Sequence, residues 1–108
     1  MTRMNELGTA GGHAAPSLAT QDNGVIVVRA CGELDRPATN RLVNDVRALV
    51  TPKTELIVVS LAGTTSVHWN ALCVLGRAAK AWRAATYDVV VKEARPSLRA
   101  MLQSVEGL

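Results

Sequence analysis

Any catalytic or metal-binding reading of this 108-residue chain turns on His68. A nucleophile–base–orienter set usually needs an imidazole, and the only other histidine, His13, lies in a stretch of small residues without apolar period. Ser66 stands two positions before His68, too local a pairing to form a constellation, and Ser60 sits inside an apolar run. Glu33 and Asp35 could converge on His68, yet a turn, a helix cap and a surface imidazole account for all three without a reaction. Cys31 and Cys73 with His68 match no metal-ligand spacing, and two thiols are too few for a disulfide scaffold. Gly63 alone makes no phosphate cradle. Arg77, Lys80 and Arg83 follow at three-residue steps, so they drift round a helix and read as a solvated face. Neither stacking aromatics nor a recognition helix accompanies them. The residue types thus argue for no catalysis, no metal, no cofactor and no nucleic-acid partner.

The elements that position these residues follow from apolar period and turn chemistry. Residues 17–20 form a short strand, and Asn23-Gly24 is the dipeptide that best tolerates a two-residue hairpin turn. Residues 25–30 are rich in valine and isoleucine and read as the second strand, antiparallel to the first. Asp35-Arg36-Pro37 opens a helix, with the carboxylate as cap and proline in the first turn. Leu42, Val43, Val46, Leu49 and Val50 form its apolar stripe, and Pro52 stops it. Residues 56–61 make a near-continuous apolar run, expected of a strand buried on both faces. A loop over 62–68 then leads to a second helix over 69–85, with Leu72, Leu75, Ala79 and Trp82 inward. Residues 87–91 are a further strand, and Pro96 opens a third helix with Leu98, Met101, Leu102 and Val105 on its apolar face. The order β-β-α-β-α-β-α predicts an α/β fold: a mixed four-stranded sheet, one antiparallel strand beside parallel ones, with three helices.

Composition agrees with a single small domain. Hydrophobic residues make up 48% and charged ones 19%, with three aromatic residues, so the core must be aliphatic. The net charge of +3 is too small to imply a nucleic-acid footprint by itself. Residues 1–15 read as a flexible tail and 16–108 as the domain. No apolar run approaches the ~20 residues needed to cross a bilayer, and no secretory signal opens the chain, so a cytoplasmic protein without membrane insertion is expected.

Gly32-Glu33-Leu34-Asp35 before the first helix, Leu56-Ile57-Val58-Val59-Ser60-Leu61-Ala62-Gly63, and the helix segment Leu72-Cys73-Val74-Leu75 occur in an order and spacing that resemble the STAS family. That family is named for sulfate transporters and anti-sigma-factor antagonists, and the resemblance covers residues 17–108. In it, the third strand commonly ends in Asp-Leu, and Asp-Ser-Ser-Gly or Asp-Ser-Ala-Gly leads into the second helix. The first serine of that motif is phosphorylated by a partner anti-sigma kinase, which releases the antagonist. This chain departs throughout: His68 stands at the Asp, Trp69 at the phosphorylated Ser, Asn70 at the next residue, Ala71 at the Gly, and Ser60 replaces the strand Asp.

An indole has no hydroxyl, so Trp69 cannot accept a phosphoryl group. Two readings of it stand open: a side chain folded onto the core, or an exposed anchor. Asn70 is expected to help cap the helix, and Thr64, Thr65 and Ser66 to serve as turn residues bonding their own backbone. The resemblance implies a non-enzymatic regulatory module binding an anti-sigma factor or related protein through Thr64, Thr65, Ser66, His68, Trp69, Asn70 and Cys73. The alternative it implies is an accessory subunit or scaffold that binds a transporter ATPase. Topology places Cys31 and Cys73 toward one edge, either as small buried hydrophobes or as a redox pair, which requires Cα atoms within about 7 Å.

Overall fold

The computed structural model describes residues 17–92 and 95–108; the expected tail over 1–15 lies outside them. Its elements are β1 (Ser17–Asp22), β2 (Val25–Leu34), α1 (Arg36–Leu49), β3 (Leu56–Val67), α2 (Trp69–Ala84), β4 (Asp88–Lys92) and α3 (Pro96–Gln103). They form one four-stranded sheet in the order β1-β2-β3-β4, with β1 antiparallel to β2 and the other pairs parallel. This is the α/β architecture that the sequence predicts, in the predicted order.

The hairpin turns at Asn23 and Gly24, whose φ angles of 50° and 80° both lie in the left-handed region. Gly24 is also packed against the chain, since a Cβ there would stand 2.6 Å from the Lys53 carbonyl oxygen. Asp35 caps α1: its Oδ1 accepts from the Ala38 backbone N–H at 2.9 Å. Asp35→Ala is therefore expected to cost ~1 kcal/mol, read as a lowered denaturation midpoint with an unchanged fold. The helix ends at Leu49, and the turn after it is locked where the Thr51 N–H donates to Thr54 Oγ1 at 2.9 Å.

The core is aliphatic apart from Trp82. Ile26, Val28 and Ala30 of β2 and Ile57, Val59 and Leu61 of β3 alternate inward, where Leu42 and Val46 of α1 and Leu72, Leu75 and Ala79 of α2 cover them. Leu98, Leu102 and Val105 join the same cluster. The body measures 39 × 34 × 20 Å, thin enough for two layers only. For that reason β3 is not buried on both faces as its apolar run suggests: Leu56 and Val58 are half-buried, and Val90 beside them on β4 is 42% exposed.

The main departure from the sequence reading lies at residues 62–68. All but His68 are strand and not loop, because β3 continues to Val67 and β2 continues past Ala30 to Leu34. Beyond Arg29↔Ser60 the parallel pairing resumes at Cys31↔Gly63, Gly32↔Thr64, Glu33↔Ser66 and Leu34↔Val67. β3 contributes one extra residue at each of two bulges, the second of them beside Gly32, whose φ is 73°. Threonine and valine at 64, 65 and 67 suit an extended chain. Their polarity masked that preference.

Candidate functional site

The extended ends of β2 and β3 set the position of the first turn of α2. The His68 backbone N–H donates to the Leu34 carbonyl at 3.0 Å, and His68 Nε2 lies 2.6 Å from Glu33 Oε2. Both side chains are about half exposed, 51% for His68 and 58% for Glu33, so the pair fixes geometry more than it adds stability. Of the three groups that could have converged, Glu33 and His68 meet, whereas Asp35 is spent on the α1 cap. Among the described residues, no three His, Cys, Asp or Glu side chains are grouped to hold a metal ion.

Trp69, the first residue of α2, is 48% exposed. Its indole therefore stands on a mount tied twice to β2. His68 occupies the cap position without a side-chain cap bond. Asn70 does not cap the helix as expected, because it already lies inside the first turn, downstream of the position from which a side chain reaches back to free N–H groups.

The three hydroxyl residues separate into distinct roles. Thr64 is buried at 6% exposure, and its Oγ1 donates to the Leu61 carbonyl at 2.7 Å. Arg95 Nη2 donates to Thr64 Oγ1 at 2.9 Å, and Nη1 donates to the Thr65 carbonyl at 3.2 Å. Thr64 thus lies beneath the surface and bonds its own backbone, as expected of it, while Thr65 and Ser66 are exposed. Arg95, the residue before Pro96, joins the start of α3 to the end of β3. Nothing in the sequence marks Arg95 beyond its place at that helix start. Thr64→Val keeps the β-branched shape but removes both bonds, and is expected to cost ~1–2 kcal/mol. The same change at exposed Thr65, whose backbone and not side chain holds Arg95, should leave the denaturation midpoint nearly unmoved.

Cys31 and Cys73 are both free thiols. Cys31 is exposed on β2 beside Gly63, next to inward-facing Ala30. Cys73 is half-buried on the helix side of the sheet, in a crevice with Arg77, Lys80, Val105 and Glu106. The structure does not bring them together, because alternation along β2 turns Cys31 away from the layer that carries α2. What the site presents is an exposed apolar plate beside an imidazole–carboxylate pair.

Comparison with known proteins bears on the fold of this surface. The family model described as "Mlab, STAS domain" matches residues 18–106. No curated protein sequence matches the chain. Among solved structures, the anti-sigma factor antagonist SpoIIAA in its unphosphorylated form aligns with a TM-score of 0.68 at 14% identity, covering 83% of this chain and 84% of that one. An anti-sigma factor antagonist from Mycobacterium paratuberculosis aligns at 0.65 with 20% identity, over 82% of this chain and 74% of that one. Mglu aligns at 0.66 with 11% identity over 73% of this chain, which spans only 20% of that longer chain. At these identities the likeness to solved structures is one of fold.

Proposed function

This chain belongs to the STAS-domain family, and from that premise we propose that it is a non-enzymatic regulatory module that binds a protein partner in the cytoplasm without a phosphorylation switch. The partner class is an anti-sigma factor or a related regulatory protein. The observation that carries the reading is Trp69, 48% exposed at the start of α2, where the family motif has its phosphorylated serine. A phosphate at that helix start would be stabilised by free N–H groups and the helix dipole. An indole offers the opposite: a large surface that gains by leaving water. Binding would then be constitutive where the family's antagonists are released by phosphorylation.

Two measurements test the proposal. Incubated with ATP and an anti-sigma-type kinase, the chain should gain no phosphoryl group by intact-mass analysis. Stoichiometric phosphate within residues 64–66 would contradict the loss of the switch. Affinity capture from a lysate of the source organism should enrich an anti-sigma-type protein. Capture of a transporter ATPase in its place would reassign the chain as an accessory subunit using the same surface.

A further inference from the structure

The helix layer carries a second surface, away from the Trp69 end. α1 and α2 lie side by side and leave a groove of about 530 Å³ between their outward flanks. Its floor is apolar, formed by Val43 of α1 with Val74 and Ala78 of α2. Asn40, Asn44 and Arg47 line one wall. Their i, i+4, i+7 spacing makes them one stripe along about two helical turns. Arg77 stands on the α2 side, and no carboxylate lines the groove among the described residues.

What marks the two arginines is their place, one on each side of an apolar floor with no carboxylate in the groove lining. On the same helix as Arg77, Lys80 is paired with Glu106 at 2.8 Å, and Arg83 donates to the carbonyls of Gly107 and Val89. Arg47 and Arg77, by contrast, have no hydrogen-bond or ion-pair partner among the described residues. Arg47 in the last turn of α1 complements the helix dipole, which accounts for its charge. Arg77 lies mid-helix, where the dipole gives no such reason.

We propose that this groove docks an acidic amphipathic helix of a partner protein, at a site separate from the Trp69 surface. With Ala81, which also lines the groove, the apolar floor runs two turns along α2 through Val74, Ala78 and Ala81 and accepts anchors at i, i+4 and i+7 of an incoming helix. The guanidiniums on either side present forked donors that match carboxylates flanking those anchors, and the amides of Asn40 and Asn44 add adaptable donors and acceptors. The inference stands on the groove's own chemistry and does not rest on the Trp69 reading.

The test titrates the isotopically labelled full chain with two synthetic helical peptides that share leucines at i, i+4 and i+7. One peptide carries flanking glutamates, the other flanking lysines. The glutamate peptide should shift the backbone amides of residues 40–47 and 74–81 and leave residues 68–70 unmoved, and the lysine peptide should not bind. The double substitution Arg47→Glu with Arg77→Glu, both at exposed positions, should weaken the glutamate peptide at least tenfold and admit the lysine peptide. Arg77→Gln provides a milder variant with the same direction of effect. Equal responses to both peptides, or shifts confined to other residues, would overturn the proposal. So would concentration-dependent broadening of the groove amides without peptide, which would assign the groove to a second copy of the chain. Repeating the titration on Trp69→Ala separates the two surfaces, since the groove response should be unchanged there.

Discussion

Gly76→Ala is expected to lower stability by ~2 kcal/mol or more, even though alanine is the better helix former by ~1 kcal/mol. A Cβ at Gly76 would overlap the Glu106 carbonyl oxygen and stand 3.0 Å from a methyl carbon of Val105. The approach is reciprocal, because Gly107 packs its backbone against the Gly76 carbonyl. The C-terminal turn is poorly placed to retreat. The Val105 N–H donates to Leu102 O at 3.2 Å and the Leu108 N–H to Val105 O at 3.2 Å, while Lys80 and Arg83 of α2 hold Glu106 and Gly107. Moving the turn would also withdraw Val105 from the core, where it is 7% exposed. A chemical-denaturation curve checks the prediction, together with amide exchange over residues 98–108, which should accelerate. An alanine variant as stable as the parent, with the C-terminal segment equally protected, would show that this close approach does not constrain the fold.

Much of the fold was legible in the sequence because its signals are local. Asn23-Gly24 marks a turn that needs positive φ, Asp35-Arg36-Pro37 marks a helix start, and the stripes of α1 and α2 have the helical period. The end of β3 was not legible. Thr64, Thr65 and Ser66 read as turn residues because they are polar and follow Gly63, whereas their extended form is decided by a distant partner, the prolonged β2. Pairing between strands far apart in sequence leaves no local period to detect. The half-open outer face of β3 was hidden for a similar reason: a run such as Leu56-Ile57-Val58-Val59 reads alike whether helices cover one face of a sheet or both.

At the candidate site the sequence leaves the exposure and bonding of the residues open. Trp69 could be read as core or as surface, and its exposure depends on how the His68–Glu33 link and the Leu34 carbonyl orient the first turn of α2. The Thr64 hydroxyl bonds its own backbone as its residue type predicts, at the Leu61 carbonyl, while the added bond from Arg95 comes from a distant helix start. No local signal marks Arg95, because its partner lies 31 positions away. Strand order alone puts the two cysteines toward one edge. Side-chain alternation, a finer feature than topology, sends them to different surfaces.

In the proposed function, Trp69 anchors a protein partner. The most direct test of that role compares Trp69→Ala with the parent chain in two assays, thermal unfolding and affinity for the captured partner, with Lys53→Ala as a control. Lys53 is exposed and precedes β3, at the other end of that strand from Trp69. Because the indole is 48% exposed, its loss should leave the unfolding midpoint close to that of the parent, unlike the ~3–5 kcal/mol expected for a buried aromatic. Affinity should fall by ~2 kcal/mol or more, roughly thirtyfold, as for a central aromatic that fills a desolvated pocket. A variant that folds normally and binds as tightly as the parent would contradict the account, and so would a variant that loses several kcal/mol of stability.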